Sequence, residues 1–298
     1  MALRRGDVLL LDGPMGSLLA ARGVPTPPPL WSAAALTTAE AEVVRVHADY
    51  AASGATVHTA ATFRTKERQA GPEWESLTRK AVKLARDSVP PEHRVAGSLS
   101  PLEDCYRPDL SPRDPRPEHR EMACALADAG VDLVLCETFP HIGEALIAVE
   151  EAARTGLPTW VSFTAGPHGE LLTPKEIAAG AREAVSRGAS AVMVNCTAAS
   201  ETWRYVEALA EVASLAKVPF GAYANAGDPE EAFNRGAEDP AAAQAYLAEA
   251  LRWVDAGATI VGSCCGTGPL HIAALAKALV PSTRGASGGV IRGGFAPL

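Results

Sequence analysis

Three cysteines occupy positions from which their thiolates could together bind a metal ion. Cys264 and Cys265 are adjacent in the segment IVGSCCGTG at 260–268, and Cys196 lies in the segment VNCT at 194–197. Each group follows a short apolar segment that is typical of a buried strand. Three protein ligands with a fourth position left for substrate are the arrangement of a catalytic zinc site. A disulfide between adjacent cysteines would distort the peptide between them. The alternative is that all three are small buried apolar residues, as most free cysteines are.

The length and charge of the chain restrict its class. The 298 residues, 47% of them hydrophobic, are enough for two average domains or for one α/β barrel. A formal net charge of −8 argues against nucleic-acid or anionic-membrane partners, and no apolar run approaches the roughly 18 residues that span a bilayer. The apolar run 8–11 stops at Asp12, too short for a signal peptide. We therefore expect a cytoplasmic protein with reduced thiols, in which clustered cysteines favour metal binding or catalysis.

Short β-rich segments alternate with helical segments eight times along the chain. Strands are predicted at 8–11, 56–59, 94–96, 132–135, 160–163, 191–194, 220–223 and 259–261. Helices are predicted at 38–53, 73–88, 117–129, 142–155, 174–186, 201–215, 240–256 and 270–279, one of them with a capping box at 173–176. Eight repeats predict a parallel sheet closed into a single (βα)8 TIM barrel over 1–280, followed by a Gly-rich C-terminal tail at 281–298. An open doubly wound sheet is the alternative.

Polar residues follow the predicted strands at the end where barrel enzymes place their chemistry. Asp12 and Gly13 follow the first strand, Glu137 and Thr138 the fourth, Asn195 and Cys196 the sixth, Asn225 the seventh, and Cys264 and Cys265 the eighth. All of these residues are therefore expected at the same open end of the barrel, its mouth. This placement favours a metal site over the alternative that the cysteines only pack in the core. Two carboxylates beside a metal could act as acid and base or could hold a substrate ammonium group. The alternative for Glu137 is a pairing with a neighbouring lysine or arginine.

The remaining cysteines and histidines are expected to play structural roles. Cys136 precedes Glu137 and should point outward from the barrel, because side chains alternate along a strand. Cys105 and Cys124 have no partner at a metal-like spacing. His47 and His58 are expected to be core or surface residues, because a site made of thiolates does not need them. The irregular segments 25–32 and 100–116 follow strand ends and are expected to shape the substrate side of the mouth.

The sequence resembles the zinc-dependent homocysteine S-methyltransferases. The motifs, in chain order, are DGPMG at 12–16, PLWS at 29–32, ETFP at 137–140, VNCT at 194–197, ANAG at 224–227 and GSCCG at 262–266, and the match runs from about residue 8 to residue 279. The resemblance implies that Zn²⁺ is bound by Cys196, Cys264 and Cys265. It also implies that Asp12 and Glu137 contact the amino group of homocysteine and that backbone amides near Gly13 receive its carboxylate.

We place Thr138, Asn195 and Asn225 with these substrate-binding residues, and Asn225 is also a candidate for the fourth zinc position before substrate binds. Two residues depart from the family pattern: Pro14 removes one backbone N–H near the carboxylate pocket, and Ser263 replaces a glycine. Thr138 stands where the betaine-using branch of the family has a tyrosine.

The expected reaction is transfer of a methyl group to the homocysteine thiol, giving methionine. One barrel leaves no room for the cobalamin and folate domains of multidomain methionine synthases, so a sulfonium donor, S-methylmethionine or S-adenosylmethionine, is expected. Arg64 would repel a sulfonium if it pointed inward, unless it held the donor's carboxylate. Open alternatives are methylation of another thiol or selenol, a component that uses a corrinoid or folate donor, a zinc hydrolase, and a barrel that only stores or senses zinc or homocysteine. The oligomeric state stays open.

Overall fold

The computed structural model describes residues 8–227 and 236–280. Its parallel strands are β1 (Leu9–Leu10), β2 (Val57–Thr59), β3 (Arg94–Leu99), β4 (Leu133–Phe139), β5 (Thr159–Phe163), β6 (Ala191–Ala198), β7 (Phe220–Asn225) and β8 (Ile260–Val261). They form one eight-stranded sheet in the order β1-β8-β7-β6-β5-β4-β3-β2, in which consecutive strands from β2 to β8 pair with one another and β1 pairs with β8. The predicted tail at 281–298 and the basic N-terminal residues lie outside the described part of the chain.

The sheet closes into a barrel between its first two strands. Leu11 forms a parallel bridge with Val57, and the Thr56 amide donates to the Leu10 carbonyl at 2.9 Å. The Asp12 amide donates to the Val57 carbonyl at 3.0 Å. The (βα)8 barrel that the eight repeats predict is thereby confirmed, and the open doubly wound alternative is wrong.

Helices cover the outside of the barrel. They are α1 (Met15–Ala21), α2 (Ala35–Thr38), α3 (Glu40–Ala52), α4 (Glu67–Ala70), α5 (Trp74–Ser88), α6 (Arg116–Asp128), α7 (Ile142–Ala153), α8 (Pro174–Ser186), α9 (Ala199–Ala216), α10 (Pro240–Asp255) and α11 (Pro269–Leu279). The predicted capping box is present at the start of α8, where Thr173 and Glu176 exchange hydrogen bonds. No helix in the described ranges is both long and apolar enough to cross a membrane.

Alternation along the strands separates two hydrophobic layers. In β4, Leu133 and Leu135 belong to the cluster that fills the barrel, whereas Val134 and Cys136 belong to the larger cluster between the sheet and the helices. Cys136 therefore points outward and packs, as its position before Glu137 predicts. The same alternation turns Glu137 inward, at the level where the apolar filling of the barrel ends.

Candidate metal centre and active site

Two strands carry a bulge at the carboxyl end of the barrel. The register of β4 shifts between Cys136 and Phe139, and the register of β6 shifts between Asn195 and Ala198. Within these bulges Thr138 has a φ of 64° and Cys196 a φ of 50°. A left-handed conformation at a residue other than glycine costs about 1–3 kcal/mol and is concentrated at functional sites. Both side chains line the mouth cavity, so each bulge turns a polar group towards it.

The three predicted cysteine ligands converge in this cavity. Their sulfur atoms all lie within 4.8 Å of one another, and the Sγ atoms of Cys196 and Cys264 are 2.7 Å apart. Cys196 comes from β6, and Cys264 and Cys265 come from the turn after β8. The cavity has a volume of about 820 Å³ and is lined by all three thiols together with Asp12 and Glu137.

The thiols fit a soft divalent cation. Hydrogen bonds to Cys264 and Cys265, followed by burial, raise the pKa of Cys196 well above its ordinary value. Three converging thiolates therefore repel one another in a buried site unless a cation neutralises their charge. Zinc binds thiolates in tetrahedral sites at about 2.3 Å, and a three-cysteine set leaves one position for a further ligand. These residues accordingly match the metal that the sequence predicts.

Asp12 is a buried carboxylate at the carboxyl end of the barrel. The Thr59 amide donates to Asp12 Oδ2 at 2.9 Å, and the Thr59 hydroxyl donates to Oδ1 at 3.2 Å. Burial nevertheless raises the pKa of Asp12 well above its ordinary value. In the described ranges no lysine or arginine forms an ion pair with Asp12. The side chain is thus prepared to accept a cationic group supplied by a ligand.

Glu137 is in the same situation on the opposite side of the barrel. The Ser98 hydroxyl donates to Glu137 Oε1, and the Tyr223 hydroxyl donates to Oε2 at 3.0 Å. Burial raises the pKa of Glu137, and these hydrogen bonds only partly oppose that effect. Among the described lysines and arginines, none lies within ion-pair distance of Glu137. A buried carboxylate with these contacts is able to pair with a cationic group of a ligand.

The other predicted substrate residues divide into two groups. Gly13 and Thr138 line the cavity, whereas Asn195 and Asn225 lie behind it. The Asn195 Oδ1 atom accepts from the Thr138 amide at 3.1 Å and from the Ser162 hydroxyl at 2.8 Å. Its amide group donates to the Thr138 hydroxyl at 2.8 Å. The Asn225 amide group donates to the Cys196 carbonyl at 3.2 Å. The two asparagines therefore hold the two bulges in shape.

His47 and His58 are buried beside Asp12 rather than beside the thiols. One ligand atom from each of these three residues lies within 4.8 Å of the others. Burial lowers the pKa of His47 to about 4 and that of His58 to about 3, so both rings are neutral at pH 7. They therefore supply no positive charge to Asp12. The prediction that neither histidine joins the cysteine site agrees with this placement.

Loop residues complete the cavity on its outer side. Trp31 and Phe63 meet edge to face with ring centroids 6.0 Å apart, and both line the cavity. Cys105 and Tyr106, from the predicted substrate loop 100–116, line it as well. The nearby Cys196 thiolate, followed by burial, raises the pKa of Tyr106. Tyr106 could not be selected from its sequence position, because its place in the cavity depends on how the loop after β3 folds.

Comparisons with known proteins agree with this geometry. The family model for homocysteine S-methyltransferases matches residues 9–279. A homocysteine S-methyltransferase of Escherichia coli is 33% identical, covering 92% of this chain and 96% of the relative. An S-methylmethionine–homocysteine S-methyltransferase of Pongo abelii is 29% identical, covering 94% of this chain and 80% of the relative. The metallated form of the E. coli homocysteine methyltransferase MmuM superimposes with a TM-score of 0.74 at 26% identity, covering 91% and 96% of the two chains.

Proposed function

The chain belongs to the homocysteine S-methyltransferase family, and on this premise we propose that it is a zinc-dependent enzyme that transfers a methyl group to the thiol of homocysteine, giving methionine. One observation carries the proposal: three convergent cysteine thiols share a cavity with two buried carboxylates that have no cationic partner among the described residues. The thiols suit a metal that binds sulfur, and the carboxylates suit an ammonium group on the same substrate.

Cys196, Cys264 and Cys265 hold the zinc ion in this proposal. When bound, the ion keeps the homocysteine sulfur deprotonated at neutral pH, and three thiolate ligands leave that sulfur rich in electron density. Asn225 and the β6 bulge fix the backbone at Cys196, so the ligand set is largely formed before substrate arrives. Because the ligands are thiolates rather than histidines and carboxylates, the site is poorly suited to activating water, which argues against a zinc hydrolase.

Asp12 and Glu137 orient the amino-acid end of homocysteine. Each offers carboxylate oxygens to the substrate ammonium group while its remaining contacts, to Thr59 and to Ser98 and Tyr223, keep it in place. Backbone amides near Gly13 receive the substrate carboxylate. Pro14 supplies no N–H there, so the amides of neighbouring residues fill that role. This fixed orientation supplies the entropic part of the rate acceleration, because the sulfur and the donor methyl are held in line.

The donor in this proposal is a sulfonium, S-methylmethionine or S-adenosylmethionine, and the cavity of about 820 Å³ has room for it beside homocysteine. A sulfonium carries an activated methyl group with a neutral thioether as leaving group. Transfer to a thiolate therefore neutralises two opposite charges. Position 138 holds a threonine where the betaine-using branch of the family has a tyrosine, and this difference argues against betaine.

The test is an assay of methionine formation. Zinc-loaded protein is incubated with homocysteine and, separately, S-methylmethionine, S-adenosylmethionine, betaine and methyltetrahydrofolate, and methionine is measured by mass spectrometry. We expect product with one or both sulfoniums and none with metal-free protein. Selenocysteine and cysteine replace homocysteine in parallel reactions. Absence of methionine with every donor, or a higher kcat/KM with another thiol or selenol, would contradict the proposed acceptor.

A further inference from the structure

Arg64 is a cation at the mouth cavity with no carboxylate partner among the residues that the structure describes. It lies in the loop after β2 and lines the mouth cavity, and its guanidinium carbon is 5.5 Å from the centre of the Phe63 ring. In the described ranges Arg64 forms no ion pair. Its neighbours differ: Arg68 pairs with Glu103 and Glu118, each at 2.5 Å, and the Lys66 ammonium donates to the carbonyls of Phe63 and Pro101, each at 2.9 Å.

Asp104 supplies the opposite charge in the same part of the cavity. It is exposed, lines the cavity and forms no ion pair with any described residue, although its Oδ1 atom accepts from the Tyr106 amide at 2.8 Å. Both Arg64 and Asp104 lie close enough to Cys105 for their charges to act on its thiol. They nevertheless do not pair with each other. A guanidinium and a carboxylate that face one cavity without closing on each other match the carboxylate and ammonium of a zwitterion.

We propose that Arg64 and Asp104 bind the amino-acid end of the methyl donor, Arg64 its carboxylate and Asp104 its ammonium group. The donor is then an α-amino-acid sulfonium. This inference rests on the proposed function and deepens it, because Asp12 and Glu137 already serve the acceptor, so the cavity holds two separate sites for amino-acid ends. Arg64 also no longer conflicts with a cationic donor, since the donor's own carboxylate neutralises the guanidinium.

The position of Tyr106 connects this second site to the thiols. Tyr106 is two residues from Asp104 and lines the same cavity as Cys196, so in this proposal the donor carbon chain passes along Tyr106 towards the acceptor sulfur. In the transfer step the homocysteine thiolate gives an electron pair to the methyl carbon. The bond between that carbon and the donor sulfur breaks, and its electron pair returns to the donor sulfur, which leaves as a neutral thioether. No oxidant, reductant or further proton is needed.

The experiment compares donors that differ by one charged group. They are S-methylmethionine, its analogue without the carboxylate, (3-aminopropyl)dimethylsulfonium, and its analogue without the ammonium, 4-(dimethylsulfonio)butanoate. Arg64→Gln should lower kcat/KM for S-methylmethionine about 10- to 100-fold, mainly through the donor KM, because a charge-assisted hydrogen bond is lost. Its effect on the donor without a carboxylate should be less than about 3-fold. Asp104→Asn should show the reverse selectivity with a smaller loss, about 3- to 10-fold, because its carboxylate is exposed.

Arg107→Gln is the matched control, since Arg107 is an exposed cation of the same loop that pairs with Asp109. It should leave the KM of each donor within about 2-fold. If Arg64→Gln lowers kcat/KM equally for all three sulfoniums, or for none of them, the inference about the donor site is wrong, although the proposed reaction is unaffected. If the wild-type protein forms no methionine, the proposed function fails separately. Calorimetric binding of S-methylmethionine at saturating homocysteine then decides the matter: equal affinity for wild type and Arg64→Gln would overturn the inference.

Discussion

Replacing Glu137 by glutamine tests whether this buried carboxylate recognises the ammonium group of homocysteine. Glutamine keeps the shape of the side chain, and its carbonyl oxygen can still accept from Ser98 or Tyr223. It removes the charge, and hydrogen bonds to charged groups contribute about 1.5–3 kcal/mol. Because 1.36 kcal/mol corresponds to a factor of ten, kcat/KM for homocysteine should fall about 10- to 150-fold.

The assay follows methionine and its analogues by mass spectrometry with two thiols, homocysteine and 4-mercaptobutanoate, which lacks the amino group. Glu137→Gln should leave kcat/KM for 4-mercaptobutanoate within about 3-fold of wild type. The matched control is Glu144→Gln, which changes a buried carboxylate outside the cavity that contacts Leu102, Ser111 and His119. That variant should not change the ratio between the two thiols. A proportional loss with both thiols in Glu137→Gln would refute an ammonium contact.

Three further results are expected from the same geometry. Since the folded-state pKa of Glu137 is raised above its ordinary 4.5, ligand-free protein should lose stability as the pH rises above that value. In thermal unfolding, the stability of Glu137→Gln should fall less steeply with rising pH than that of the wild type. Identical pH profiles for the two proteins would contradict a raised pKa at Glu137. Gly221→Ala places a Cβ 1.7 Å from the Ile260 carbonyl oxygen, so the free energy of unfolding measured with denaturant should fall by about 3 kcal/mol. A decrease below about 1 kcal/mol would contradict this packing. Asn195→Leu leaves the Thr138 amide without its acceptor and should lower the free energy of unfolding by about 2–3 kcal/mol in the same denaturant experiment. An unchanged unfolding midpoint would show that Asn195 does not support the bulge.

The barrel and most of its elements could be predicted because periodicity and turn residues are local signals. The predicted helix 174–186 has the same bounds as α8, and the predicted helix 38–53 contains α3, in which Val43, Val46 and Tyr50 are buried. Strands β4 and β6 are longer than predicted, ending at Phe139 and Ala198. Their extensions are the bulged segments. Thr138 and Cys196 adopt left-handed conformations that no local propensity favours, because contacts from other strands impose them.

The inner part of the site could likewise be predicted, whereas its outer part could not. The site residues predicted from the sequence lie just after the ends of the predicted strands, so strand alternation and barrel closure bring them together: Asp12, Glu137, Cys196, Cys264 and Cys265. The placement of Asn195 and Asn225 behind the cavity depends on the bulges.

Arg64, Asp104 and Tyr106 lie in loops, where the chain path rather than a repeating pattern decides which side chain reaches the mouth. The sequence does not predict the short helix α1. Its seven residues, Met15–Ala21, directly follow Pro14 and show little apolar periodicity.

The most direct test of the central claim is X-ray absorption at the zinc edge of the protein, recorded before and after addition of homocysteine. Three sulfur neighbours at about 2.3 Å and one oxygen or nitrogen are predicted for the protein alone, and four sulfurs once homocysteine is added. Cys265→Ala should bind zinc weakly or not at all, whereas Cys136→Ala should give the wild-type spectrum. A spectrum that homocysteine leaves unchanged, or full zinc occupancy in Cys265→Ala, would contradict a site in which three cysteines present zinc to the substrate thiol.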